Sequence, residues 1–143
     1  MLRLSALYQM NVVTKKLLAS VSDADASIED WISLLDVSYQ HRLPEARGIA
    51  VHKLESKLRG DPARKIVLAR QYGIGMWLLD GLLELVEREA YPSDDEEKSL
   101  GAATIIKLFR AREVYTKRPL EHRLIIADGF KSEVQQMEAG RRW

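Results

Sequence analysis

Apolar positions along this chain recur at spacings of three and four, and alternation of period two is rare, so the pattern predicts helices almost throughout. Leu2, Leu4, Leu7 and Met10 outline a first helix, and a weaker group follows at Val12, Val13, Leu17, Leu18 and Val21. The polar stretch "SDADASIED" interrupts them. Ser27 is placed to cap the next helix, with Asp30 three positions on to bond back, and that helix presents Trp31, Leu34, Leu35 and Val37. Leu43-Pro44 opens another, because proline lacks only an N–H that the first helical turn leaves unpaired anyway. Ala46, Ile49, Ala50, Leu54 and Leu58 form its apolar face, and Gly60 ends it. Asp61-Pro62 starts the following helix, with an acceptor at the cap and a preset φ after it.

The stretch "RQYGIGMWLLDGLLELVERE" (residues 70–89) is the densest apolar run. Gly73 stands where the preceding helix needs a left-handed residue, and Gly75 lets the chain turn into Met76–Val86, a run apolar over a wide arc and suited to a central helix. Gly81 inside it weakens the helix by about 1 kcal/mol relative to alanine and predicts a close neighbour. Tyr91-Pro92 stops the run. Ser93 and Glu96 then make a capping box, with Asp94 and Asp95 at the positive end of the helix dipole. A helix carrying Ile105, Ile106, Leu108, Phe109 and Val114 follows Gly101, and Pro119 kinks or ends it. From Leu120 to Ala139 the positions Leu124, Ala127, Phe130, Val134 and Met137 form one stripe opposite a charged face.

Composition narrows the job more than the fold. The 143 residues are one domain's worth, 46% hydrophobic and 30% charged, with a net charge of +1. So balanced a chain has no general field for nucleic acid, and its basic pairs, such as Lys117-Arg118, are interleaved with acids. Without cysteine there are no disulfides, thiolate metal sites or thiol nucleophiles, which fits a reducing compartment. The start "MLRLSALYQM" lacks the apolar core and cleavage site of a signal peptide, and no run has the ~18 apolar residues a membrane span needs. These features predict an intracellular protein, cytoplasmic or nuclear, with no membrane and no nucleic-acid partner.

Chemical motifs are scarce. Gly73 and Gly75 form a GxG, but a dinucleotide loop needs a third glycine where Leu78 stands, and a strand before it; no Gly-Lys pair exists for a P-loop. His41, His52 and His122 are scattered, with no metalloprotease or di-iron spacing. No G-x-S-x-G anchors a serine nucleophile, and Asp94–Glu97 lacks the calcium-loop pattern. The sequence therefore assigns no catalytic residue, metal site or cofactor, and leans away from an enzyme.

Several pieces taken in order resemble one family: "IEDWISLL" (Ile28–Leu35), "LPEARGIAVHKL" (Leu43–Leu54), "DPARKIVLARQYGI" (Asp61–Ile74), "WLLDGLLELVERE" (Trp77–Glu89) and "EEKSLG…IIKLFRARE" (Glu96–Glu113). They are similar to the helical, BACK-like region that follows the BTB/POZ fold in basidiomycete fungal proteins, and "LSALYQM" (Leu4–Met10) resembles the last helix of the BTB fold itself. The BTB sheet has no counterpart before Leu4, Gly75 departs from the family pattern, and the resemblance ends near Tyr115. It implies a protein–protein interaction module of the kind found in adaptor proteins, some of them tied to cullin ubiquitin ligases.

The expectation is thus an all-α fold, a bundle of stacked helical hairpins in a single domain over 1–143: an N-terminal helix region at 1–21, the family-like core at 27–115 and an amphipathic helix at 120–139. Its core would gather round Trp31, Leu54, Leu68, Leu79, Leu82 and Phe109. A protein partner or a second copy, giving a homodimer or other homo-oligomer, would use Leu2, Leu4, Leu7 and Met10, or Leu124, Phe130, Val134 and Met137, with Trp143 exposed or docked. The rival expectation is a small helical enzyme or ligand-binding protein with a pocket between helices lined by Tyr39, His41, Tyr72, Tyr115 and His122.

Overall fold

The computed structural model describes residues 27–140. Leu2, Leu4, Leu7, Met10 and Trp143, all expected at a partner surface, lie outside the described residues. Among those described there are eight α-helices and no strand. The helices are α1 (Ile28–Gln40), α2 (Pro44–Lys57), α3 (Pro62–Tyr72), α4 (Gly75–Glu87), α5 (Asp94–Leu100), α6 (Ala102–Lys117), α7 (His122–Gly129) and α8 (Lys131–Gly140). The fold is all-α, as the periodicity predicts.

The chain divides into two units at Arg59 and Gly60. In the first, α1 and α2 pack on each other. The N-terminus of α1 is fixed by a reciprocal box: the Asp30 N–H donates to Ser27 Oγ (3.3 Å) and the Ser27 N–H to Asp30 Oδ2 (2.9 Å). The turn between the helices passes through Arg42 at φ +53°, a left-handed position that a side chain tolerates at some cost. It closes with the Leu43 N–H on the Ser38 carbonyl at 2.8 Å. Trp31, Leu34, Leu35, Ala46, Ala50 and Leu54 are buried.

The second unit is built round α4, which packs against α3, α6, α7 and α8. Asp61 caps α3 through the Arg64 N–H (3.3 Å), and Gly73 ends it in the left-handed region at φ +66°. The predicted close neighbour of Gly81 is α3: a Cβ there would stand 2.7 Å from Ile66 Cγ1 and 3.0 Å from the Pro62 carbonyl oxygen. Trp77, Leu78, Leu82, Leu85, Ile66, Leu108 and Ile126 are shut off from solvent; each large apolar side chain so buried is worth roughly 1.5–3 kcal/mol.

Two core expectations need correction. Phe109 is 39% exposed and Leu79 is half-buried, while Leu108 takes the inner position on α6. One residue is about 100° of helix, so neighbours in an apolar run face different ways. The stripe drawn from Leu120 to Ala139 is also not one helix. It breaks at Phe130, where Lys107 Nζ donates to the Gly129 carbonyl (2.8 Å) and lies 4.8 Å from the centre of the Phe130 ring. That cation sits where the last carbonyls of α7 concentrate negative charge.

Candidate functional site

Most charged groups inside the second unit are joints. Arg70, on α3, donates from Nε to Glu133 Oε1 on α8 (2.7 Å), from Nη1 to the Leu100 carbonyl ending α5 (3.0 Å), and from Nη2 to Thr104 Oγ1 on α6 (2.7 Å). Arg112, on α6, answers the open C-terminus of α4. Its Nη1 reaches the carbonyls of Leu85 and Arg88, both at 2.7 Å, and of Ala90 at 3.3 Å, while Nη2 reaches that of Glu89 at 2.9 Å. A planar fork of donors suits such a set of carbonyls, and a cation suits that end of a helix. Arg88 grips Glu96 through Nη2–Oε1 (2.9 Å) and Nη1–Oε2 (3.2 Å). This hydrogen-bonded guanidinium lowers the Glu96 pKa, against a smaller upward push from burial.

Arg112 also has a face. Its guanidinium lies 4.5 Å from the centre of the Tyr91 ring, and that ring meets Phe109 at 6.0 Å, tilted by 48°. Tyr91 is 70% exposed and Ile106, one turn from Phe109 on α6, is 53% exposed. Two depressions meet at Phe109. One, of about 430 Å³, runs along Tyr91, Arg112, Glu113, Tyr115 and the end of α4; the other, of about 460 Å³, lies between Asp94, Glu97 and Lys98 of α5 and Ala102, Ile105 and Ile106 of α6. The result is an apolar groove with a charged border on the outer face of α5 and α6. Rigid aromatic and aliphatic side chains in such a groove are what a partner's anchor residues bury against.

The residues named from sequence are distributed as follows. Leu124 is 67% exposed, Phe130 is buried, and Val134 and Met137 are half-buried on α8. Val134 packs beside Gly75, at 3.0 Å from where a Cβ would stand, and the Met137 carbonyl lies near Gly73, so these two support the start of α4. Leu120 (89% exposed), Leu124 and Ile125 leave a second apolar patch on and before α7. Of the proposed pocket residues, Tyr39 and His41 are exposed in the first unit, and Tyr72 is buried at the end of α3.

Tyr115 and His122 do meet, edge to face with ring centres 4.6 Å apart, and His122 Nε2 stands 2.7 Å from Glu87 Oε1. Tyr115 and Glu87 line the first depression; His122 does not. Its side chain is 3% exposed and its Nδ1 is enclosed without a hydrogen-bond partner among the described residues. A proton-transfer residue must come within hydrogen-bond reach of its substrate. Here the imidazole fastens α7 to the end of α4. No group of three or more histidine or carboxylate side chains among the described residues is placed to hold a metal ion, and no described helix is long and apolar enough to cross a membrane.

Sequence reading passed over Arg70, Arg112, Glu87 and Tyr91. A signal for the two arginines existed. Arg70 continues the buried positions Ile66 and Ala69, and Arg112 lies four residues beyond Leu108, so each is a cation on an otherwise apolar stripe. Such a cation must find acceptors, and helix ends supply them. Tyr91 gave no signal, because it stands in a connector. Compared with known proteins, the chain matches no family model, no curated protein and no solved structure.

Proposed function

We propose that this chain is a non-catalytic protein–protein interaction module that engages its partner through the groove of Tyr91, Ile106 and Phe109. One observation carries this reading: large apolar side chains of α6 and of the connector before α5 are exposed around adjoining depressions of about 430 and 460 Å³. Arg112 supports them, since its guanidinium lies against the Tyr91 ring while it closes α4. The resemblance to the helical region following the BTB fold supports the same class of work, in adaptor or regulatory assemblies of the ubiquitin-ligase kind. It also supports an intracellular setting, with which a cysteine-free sequence is compatible.

The test replaces Ile106, in the full chain expressed in cells, with a photoreactive benzoylphenylalanine. The expected result is a discrete protein adduct at that position and none at a control probe in place of Gln135, which is exposed on α8. Equal labelling at both positions, or none at Ile106, removes the reading.

A further inference from the structure

Which kind of partner fits the groove follows from which of its charges are already committed. Arg88 is bound to Glu96, Arg112 to four main-chain carbonyls and Lys117 to Glu113 at 3.2 Å, while Glu87 faces His122. By formal charge the two depressions are lined by the carboxylates of Glu87, Glu89, Asp94, Glu97 and Glu113 against the cations of Arg88, Lys98, Arg112 and Lys117, with Glu96 matching Arg88, and among the described residues no side-chain cation is bonded to Glu89, Asp94 or Glu97. Adding the adjacent Asp95 and Arg110, both exposed, keeps the border acidic. A groove with an apolar floor and uncommitted carboxylates favours a partner of opposite charge, and like charge across such a contact is costly.

The form of the partner follows from the floor. It consists of side chains on α5, α6, the end of α4 and the connector that carries Tyr91, and no described strand offers an edge for an extended peptide to extend. A helix supplies apolar anchors at successive turns. The two depressions, divided by Phe109, are each large enough for one or two such side chains. Resting on the interaction reading above, we propose that the groove receives the apolar face of a cationic amphipathic helix from a protein partner, with anchors on either side of Phe109 and lysines or arginines facing Glu89, Asp94 and Glu97.

The test uses the full chain and two labelled helical peptides with the same leucine face, one with lysine and one with glutamate on the polar face, read by fluorescence anisotropy. The lysine peptide should bind about tenfold tighter, and the difference should shrink as salt rises. Ile106→Ser and Phe109→Ser should each weaken it severalfold. A Glu89→Gln, Glu97→Gln variant should lose the preference for lysine while melting as wild type does. If the glutamate peptide binds as tightly and still depends on Ile106 and Phe109, the cationic partner is overturned and the docking groove stands. If neither peptide responds to those two substitutions, both readings fall. An Ile106-dependent dimer of the protein alone would put a second copy in the groove and likewise overturn the proposal.

Discussion

Arg70 makes more inter-helix hydrogen bonds than its place in the sequence suggests. It stands one residue after the buried Ala69, yet bonds to groups at the end of α5, on α6 and on α8. Removing a half-buried cation with this many partners strands a carboxylate and a carbonyl together. Arg70→Met should therefore destabilise the protein by about 2–4 kcal/mol in urea titration. Arg70→Lys should recover little of that, since an ammonium cannot direct donors to three separated acceptors in one plane. A second residue-scale prediction concerns acid. Glu96 has its folded pKa below its ordinary value, so the unfolded chain binds its proton first as pH falls. Its contribution to stability is complete above the ordinary glutamate pKa of about 4.5 and is lost as pH drops through the lower, folded value. Glu96→Gln should reduce the slope of melting temperature against pH in that acidic window; an unchanged slope would remove Glu96 as its source. Sequence alone gave the cap at Ser93 but not the Arg88 clasp that dominates the shift, because the arginine belongs to the connector after α4.

Two helix-interior glycines that look alike in sequence behave oppositely. Gly48 in α2 has open space where a side chain would go, so Gly48→Ala should stabilise by about 0.5–1 kcal/mol through helix propensity and a less flexible unfolded chain. Gly81 in α4 has the Pro62 carbonyl and Ile66 in that space, one of them backbone that cannot swing aside. Gly81→Ala should lose about 1–2 kcal/mol net, since overpacking exceeds the gain in propensity. Paired thermal melts of the two variants decide this, and a shift of the same sign in both would refute it. The close neighbour of Gly81 was legible as an expectation, but which helix supplies it was not, whereas the local stop and start signals were legible outright. The boxes at Ser27 and Ser93, the cap at Asp61 and the left-handed Gly73 involve groups a few residues apart, so spacing alone determines them. The break at Phe130 depends on Lys107, 22 residues upstream of Gly129, and no local pattern announces it.

At the level of the whole molecule the proposed interaction has more than one apolar surface that could carry it. Besides the groove at Phe109, Leu120 and Leu124 are largely exposed beside α7, within the segment whose apolar stripe predicts self-association. If that patch is a contact between copies, the sedimentation coefficient of the wild type should rise with concentration, and a Leu120→Asp, Leu124→Asp variant should stay monomeric with an unchanged melting temperature. A wild type that sediments as a monomer at every concentration would end that expectation.

The sequence by itself determined that these residues form helices, where most begin and end, and that α4 is buried on several sides, because periodicity, caps and prolines act within a turn or two of chain. Only the tertiary structure decided that Phe109 faces outward while Leu108 faces in, that Arg70 and Arg112 join helices, and that His122 is a fastening held by Glu87. Each depends on how one helix is rotated against another, and that rotation is fixed jointly by side chains far apart in the chain.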